Sequence, residues 1–270
     1  MVQSTLDMNT ATTPTNSTTQ ARAWCAAYLA ERSAGDPIAA VLRSTPDLGD
    51  VAAPIYAFVR HTHDLAHGPA PIDALSQWED ALVSAFHGRP TDPILTALLD
   101  LARTHALPIT PLADLLVGVK MQQSGRALPT AETARERARA TAGPLARALM
   151  HVAGNRDERA LALAERFATG LRLLDDLVDL VADADAGRRT VAQADLDDFG
   201  IDLDAVASEV PAPAAAELVA LLAARVRVDL CYAAPLRRRA PASLRPLIVR
   251  LHRLGMRALT GIEARAVEGL

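Results

Sequence analysis

Apolar residues recur at helical spacing from about residue 20 onwards, and strand-like alternation is scarce. Alanine and leucine, both strong helix formers, dominate these segments, while proline and glycine fall mainly between them. The pattern predicts helices over the ranges 19–33, 36–43, 48–67, 73–88, 93–105, 110–124, 130–153, 157–186, 193–197, 212–236 and 241–266. Because no fixed-period repeat and no linker separates them, we expect a single all-α domain over residues 21–270.

The first twenty residues differ from the rest of the chain. They are rich in Thr, Ser and Asn and carry neither the basic nor the apolar segment of a secretion signal, so we expect residues 1–20 to be a disordered tail. No apolar run reaches the roughly 18 residues of a transmembrane helix. Cys25 and Cys231 lie outside any motif, which favours buried thiols in a cytoplasmic protein. The sequence does not exclude contact with a membrane surface through an apolar patch.

The amino-acid composition limits the kinds of molecule that the chain is expected to bind. Half of the residues are hydrophobic but only 3% are aromatic, so we expect a large core of Leu, Ala and Val. The formal net charge is -4, and Lys120 is the only lysine. Since no basic run is present, nucleic-acid binding is not expected. The oligomeric state stays open.

The segment Leu173–Arg189 carries an unusual acidic pattern. Asp175, Asp179 and Asp183 follow one another at four-residue steps and therefore share one face of the predicted helix 157–186. Like charges at this spacing destabilise a helix, and a divalent cation would remove that cost. The alternative is a solvated acidic edge. Because leucines and valines crowd the segment, we expect a central helix whose carboxylates line a cavity and bind Mg²⁺ together with substrate phosphates.

A second polar pattern lies between Tyr56 and His67. On a helix, Arg60, His63, Asp64 and His67 share one broad face. This face fits one side of a metal–diphosphate site, a transition-metal site on the two histidines, or a His–Asp pair of the phosphohydrolase type. A plain polar surface is an equally good interpretation from these residues alone.

The chain resembles the squalene/phytoene synthase family. Residues 55–67 are similar to the family motif Y-A-F-x-R-x-x-D-D-I-A-D, and residues 171–188 are similar to Q-L-T-N-x-x-x-D-x-x-x-D-x-x-x-G-R. Weaker similarity lies in residues 107–118, 142–145, 195–200 and 262–264. The order and spacing of these segments make the resemblance specific.

The resemblance implies an isoprenoid-synthase fold, in which helices surround a central apolar cavity. It also implies Mg²⁺ as the cofactor and prenyl diphosphates as substrates, with two aspartate-rich motifs on facing helices. Carried over to this chain, the predicted metal ligands are Asp175, Asp179 and Asp183, and the predicted diphosphate ligands are Arg60, Arg137, Arg172 and Arg188.

Departures from the family pattern shape the functional prediction. His63 and His67 replace two aspartates of the first motif, and only Asp64 remains. Arg172 replaces a glutamine and Arg137 a tyrosine. Because only one of the two acidic motifs is intact, we expect the site to bind one allylic diphosphate.

We therefore expect a Mg²⁺-dependent prenyltransferase that alkylates a non-isoprenoid small-molecule acceptor, with an aromatic ring favoured. His63, Asp64 and His67 are its predicted catalytic residues, with a histidine as general base. The alternatives are head-to-head condensation of two prenyl diphosphates, cyclisation or hydrolysis of one, and a non-catalytic binding subunit.

Overall fold

The computed structural model describes residues 14–268 except 33, 46–47, 124–127 and 208–212. Within that part of the chain every regular element is a helix, which confirms the predicted all-α fold. The helices are α1 (Pro14–Arg32), α2 (Pro37–Arg43), α3 (Gly49–Ala66), α4 (Pro71–Phe86), α5 (Pro93–His105), α6 (Thr110–Gln123), α7 (Ala131–Val152), α8 (Glu158–Val178), α9 (Leu180–Asp185), α10 (Gln193–Phe199), α11 (Leu203–Ala207), α12 (Pro213–Tyr232), α13 (Leu236–Arg239), a 3-10 helix (Ala242–Leu244) and α14 (Arg245–Glu268).

Several helices begin at a capping side chain. Asp36 precedes α2 and accepts a hydrogen bond from the backbone N–H of Ile38 at 2.8 Å. Asp92 precedes α5 and accepts from the N–H of Ile94 at 2.7 Å. In both helices proline occupies the first turn, where its missing N–H costs nothing. These local signals explain why the predicted starts of both helices lie close to the observed ones.

A closed ring of helices forms the centre of the fold. Going round it, α2 contacts α3, followed by α6, α7, α8, α12 and α14, which contacts α2 again. The helices α6 and α7 cross closely at Gly118, where a Cβ atom would clash with the carbonyl of Ala140. The core is largely Leu and Ala, and its aromatic rings include Phe58 and Trp78, which stack with centroids 5.6 Å apart. The helices α3 and α8 are not successive members of this ring, but Arg172 of α8 lies close enough to His63 of α3 to affect its pKa.

The predicted helix 157–186 is divided into α8 and α9 at Asp179. The interruption is local, because the N–H of Asp179 still donates to the carbonyl of Asp175 at 3.0 Å and the N–H of Asp183 to that of Asp179 at 2.8 Å. Aspartate has a low helix propensity, and like charges one turn apart repel. Both effects weaken the helix at Asp179, although the hydrogen bonds between residues four apart are kept.

Two further expectations differ from the structure. Helix α1 begins at Pro14, so it overlaps the predicted tail 1–20; residues 1–13 lie outside the described part of the chain. Cys25 is buried as expected, and burial raises the pKa of its thiol to about 12, but Cys231 is exposed near the end of α12. No helix in the described ranges combines the length and hydropathy needed to cross a membrane.

Candidate active site

The acidic face at the α8–α9 junction lies at the protein surface. The Asp175 side chain is 61% exposed, and Asp179 is exposed as well. Val178 and Val181 beside them are 58% and 52% exposed. We expected these carboxylates to be shielded from bulk water, but α8 ends at the surface and leaves its last turn open. A solvated cation therefore has direct access to Asp175 and Asp179.

The charge of Asp175 is only partly balanced. Desolvation raises the pKa of its carboxyl group, Arg172 opposes the rise, and the nearby charges of Asp179 and Asp176 add to it. Within the described part of the chain, Asp175 forms one ion pair, a 3.3 Å contact with Nη1 of Arg172. A cation between Asp175 and Asp179 would relieve this repulsion.

Asp176 is buried and binds two of the predicted diphosphate arginines. Its side chain is 6% exposed, and its Oδ1 accepts a hydrogen bond from Nη2 of Arg172 at 2.6 Å. Its Oδ2 accepts from Nη2 of Arg137 at 3.4 Å. The sequence prediction did not include Asp176 among the site residues. The available signal was the four-residue step from Arg172, which places both side chains on one helix face.

Arg137 also binds the chain that follows α9. Its Nη1 donates to the carbonyl of Arg189 at 2.7 Å, and its Nη2 lies 3.5 Å from the carbonyl of Thr190. Its guanidinium therefore holds this segment and Asp176 together. Its assignment as a direct diphosphate ligand stays a prediction.

Asp183 and Arg188 form a local pair. Nε and Nη2 of Arg188 donate to Oδ1 of Asp183 at 2.8 and 2.6 Å, and the N–H of Arg188 donates to the carbonyl of Asp183 at 2.7 Å. Gly187 permits the turn between them because its φ of 69° is in the left-handed region. This pair distinguishes Asp183 from the more open carboxylates of Asp175 and Asp179.

On α3, Asp64 is surrounded by donors. Its Oδ2 accepts from the hydroxyl of Tyr28 and from Nη2 of Arg32, both at 3.2 Å, and its Oδ1 lies 3.5 Å from Nε of Arg60. Burial and the charge of Asp64 raise the pKa of Tyr28 to about 12. The last carboxylate of the first motif is therefore balanced by the protein itself.

The two histidines of α3 have different environments. Desolvation, followed by the charges of Arg172 and Arg60, lowers the pKa of His63 to about 4, so its imidazole is neutral at neutral pH. His67 is exposed at the end of α3, and its Nδ1 lies 2.7 Å from the carbonyl of His63. Because a carbonyl only accepts, Nδ1 carries the proton, and Nε2 of the neutral ring remains available as a base.

The structure brings the two predicted motifs into one electrostatic environment. Arg172 of α8 acts on the pKa of His63 of α3, and Asp36, just before α2, acts on the pKa of Asp175. Asp36 in turn accepts from the hydroxyl of Tyr56 on α3 at 2.7 Å. The predicted residues of α3 and α8 therefore lie near each other, whereas Arg188 belongs to the separate pair with Asp183.

The donor chemistry fits a shared Mg²⁺ ion better than a protein-only metal cage. Across the described residues, no three acidic, histidine or cysteine side chains converge closely enough to hold a metal. Mg²⁺ is normally bound by one or two carboxylates, with substrate phosphates and water completing its coordination. The exposed Asp175 and Asp179 fit that mode. The transition-metal interpretation of His63 and His67 finds no third ligand in the same part of the chain.

A cavity of about 330 Å³ lies between α7, α8, α10 and α12, and the buried Asp176 is part of its wall. Its wall combines apolar side chains with arginines that already have acidic partners. Asp229, 6% exposed, binds Arg135 at 3.1 Å and Arg166 at 2.7 Å, and Asp195 binds Arg225 at 2.6 Å. These carboxylates are buried and paired with arginines, so neither of them is as open to a solvated cation as the exposed Asp175.

Comparison with known proteins agrees with this geometry. The profile of the family described as squalene/phytoene synthase matches residues 31–267. The chain belongs to the squalene/phytoene synthase family. The predicted resemblance is thus confirmed over nearly the whole chain, and with it the assignment to a family of prenyltransferases.

Solved structures show the same fold. The crystal structure of squalene synthase HpnC from Alicyclobacillus acidocaldarius is similar with a TM-score of 0.83 and 23% identity, over 94% of this chain and 99% of that one. A dehydrosqualene synthase solved in complex with ligand is similar with a TM-score of 0.78 and 18% identity, over 94% and 87% of the two chains. No curated protein sequence gives a significant match. The predicted isoprenoid-synthase fold is confirmed.

Proposed function

We propose that this chain is a Mg²⁺-dependent prenyltransferase that ionises an allylic prenyl diphosphate at the α8–α9 junction and condenses it head-to-head with a second isoprenoid unit. The observation that carries the proposal is the exposed pair Asp175 and Asp179 beside Arg172. The fold relatives named as squalene and dehydrosqualene synthases support the head-to-head reaction over transfer to a non-isoprenoid acceptor. This reverses the order of preference derived from the sequence.

The role of each proposed site residue follows from its charge. Arg172 and Arg60 supply positive charge near the leaving diphosphate, which gains negative charge as the allylic C–O bond breaks. Asp175 and Asp179 would hold Mg²⁺, which supplies further charge neutralisation when bound. The apolar side chains of the helical ring exclude water that would otherwise capture the allylic cation.

One observation favours a second candidate, transfer from a single diphosphate to an uncharged acceptor. Asp64 already pairs with Tyr28, Arg32 and Arg60, so the last carboxylate of the first motif is less available to a second metal–diphosphate group. In this reaction the pKa of about 4 makes His63 a weak base, so the histidine that we propose for this role is the exposed His67, through Nε2.

Product analysis separates the two candidates. The purified chain is incubated with Mg²⁺ and allylic diphosphates of increasing length, and both organic products and released pyrophosphate are measured. We expect products that contain two prenyl units. Pyrophosphate release that requires an added aromatic acceptor would favour the second candidate. If the whole series gives neither product nor pyrophosphate, with or without acceptors, the enzymatic proposal is wrong.

A further inference from the structure

We infer that Asp176 is a positioning residue, which holds Arg172 and Arg137 in the orientation needed to bind the diphosphate. The inference rests on the proposed function, because it assigns the diphosphate to this end of α8. It adds a residue that neither the acidic ladder nor the family motif includes. Asp176 itself is buried and acts through its arginines.

The geometry gives each carboxylate oxygen a different arginine. Oδ1 binds Nη2 of Arg172 at 2.6 Å, and Oδ2 lies 3.4 Å from Nη2 of Arg137. Arg172 comes from the same helix one turn earlier, whereas Arg137 comes from α7. A single side chain therefore fixes the relative position of two cationic groups from two helices.

The contacts extend to the segment that carries Arg188. Arg137 donates its second terminal nitrogen, Nη1, to the carbonyl of Arg189 at 2.7 Å. Arg188 is the preceding residue and pairs with Asp183. Two of the four predicted diphosphate arginines thus bind Asp176 directly, and Arg188 is adjacent to the residue whose carbonyl Arg137 binds.

The charge count supports orientation as the role of this cluster. Arg137 and Arg172 are matched in number by Asp176 and the exposed Asp175, so these side chains leave no surplus charge and the buried Asp176 directs the two guanidinium groups. Buried ion pairs of this kind contribute little net stability compared with apolar packing, because desolvation offsets most of the attraction. An arginine whose fork is already directed loses less freedom when a diphosphate binds.

Loss of Asp176 has a specific structural consequence. Arg172 already contacts Asp175 at 3.3 Å, so without Asp176 its guanidinium can turn fully onto that exposed carboxylate. Asp175 would then be less available to a cation. We therefore expect Asp176→Asn both to weaken pyrophosphate binding and to raise the Mg²⁺ concentration that binding requires.

The test measures binding of inorganic pyrophosphate by calorimetry over a range of Mg²⁺ concentrations. We expect Asp176→Asn to bind roughly 10- to 100-fold more weakly, the range found when residues that orient metal or anion ligands are changed. The matched control is Asp229→Asn, because Asp229 has the same 6% exposure and also binds two arginines, from α7 and α8. We expect this control to lose a similar amount of thermal stability and to retain wild-type affinity and Mg²⁺ dependence.

Coupling with Arg172 distinguishes positioning from a general structural effect. In an Arg172→Gln background, Asp176→Asn should cause little further loss of pyrophosphate affinity. Arg172→Lys keeps the charge but not the planar fork, so it should lose at least about tenfold in affinity while the chain stays folded. This second variant decides the matter even if Asp176→Asn does not fold.

The outcomes separate this inference from the proposed function. A wild-type chain that binds no Mg²⁺–pyrophosphate overturns both. If the wild type binds but Asp176→Asn or Arg172→Lys binds equally well, the positioning role is wrong and the proposed function stands. Equal losses in Asp176→Asn and Asp229→Asn would also overturn the positioning role, because stability alone would then explain the effect.

Discussion

The polar faces of α3 and of the α8–α9 junction contain the same kinds of side chain, but their charges are balanced differently. On α3, one aspartate, Asp64, faces three donors from Tyr28, Arg32 and Arg60. At the junction, Asp176 takes up the arginines, and Asp175 and Asp179 remain exposed. On the first face the aspartate already has partners from the protein, whereas at the junction a cation would relieve the repulsion between Asp175 and Asp179.

This contrast distinguishes acidic residues that are available to bind a cation from acidic residues that hold arginines in position. A carboxylate counts as a candidate metal ligand only if the protein has not already supplied its partners. By that criterion Asp175 and Asp179 are stronger candidates than Asp64. Three measurements test this difference between the two faces.

The largest effect is expected for Asp179→Ala. Because it removes an open carboxylate from the junction, turnover of an allylic diphosphate should fall by at least about 100-fold, and more Mg²⁺ should be needed for half-maximal rate. Steady-state rates over a Mg²⁺ titration measure both quantities. Asp185→Ala, an exposed aspartate at the end of α9, is the control and should behave as the wild type. Unchanged turnover in Asp179→Ala would remove the junction as the metal site.

The second effect concerns His63 and stability in acid. In the folded chain its pKa is about 4, below the ordinary value of 6.5. As the pH falls below about 6.5 the unfolded chain takes up a proton first, so the stability present above that pH is lost progressively down to about pH 4. At about 1.4 kcal/mol per unit of pKa difference, the loss amounts to at most about 3.5 kcal/mol.

Chemical denaturation at roughly pH 7 and roughly pH 4.5 measures this loss. His63→Gln should lose less free energy of unfolding between the two pH values than the wild type does. His87→Gln, which changes an exposed histidine after α4, should keep the wild-type dependence. If His63→Gln also keeps it, His63 is not the buried neutral group that the α3 face requires.

The smallest effect is expected for Asp64→Asn. Asp64 is partly exposed and pairs only with protein donors, and such ion pairs contribute about 0 to 1 kcal/mol. Turnover should therefore fall by no more than about fivefold, with an unchanged Mg²⁺ requirement. A Mg²⁺ requirement that rises as in Asp179→Ala would show that α3 shares the metal site and would end the contrast.

Much of the fold was predictable from local patterns. Asp36 and Asp92 mark helix starts because a capping side chain and a following proline act over a few residues. The interruption at Asp179 was not predicted, because an apolar helix pattern continues through it. Exposure of Cys231, Val178 and Val181 was also missed, since periodicity assigns a face without showing whether another element covers it.

The candidate site was also predictable only in part. The spacing of Asp175, Asp179 and Asp183 follows from helix geometry, so the sequence contained it. The role of Asp176 did not follow, because one of its partners, Arg137, is on another helix. Arg172 and Arg137 both depart from the family pattern, and the structure joins these two departures through one carboxylate.

The sequence by itself determined the helical class, the family and the acidic ladder, because each depends on residue types at short or regular spacing. Which carboxylates are exposed depends instead on contacts between helices that are distant in sequence. Asp64 and Asp176 are engaged by arginines from helices remote in sequence, while Asp175 and Asp179 are left at the surface where α8 ends. Charge balance depends on the distances between charged side chains, and for residues remote in sequence these distances are set only when the helices pack together.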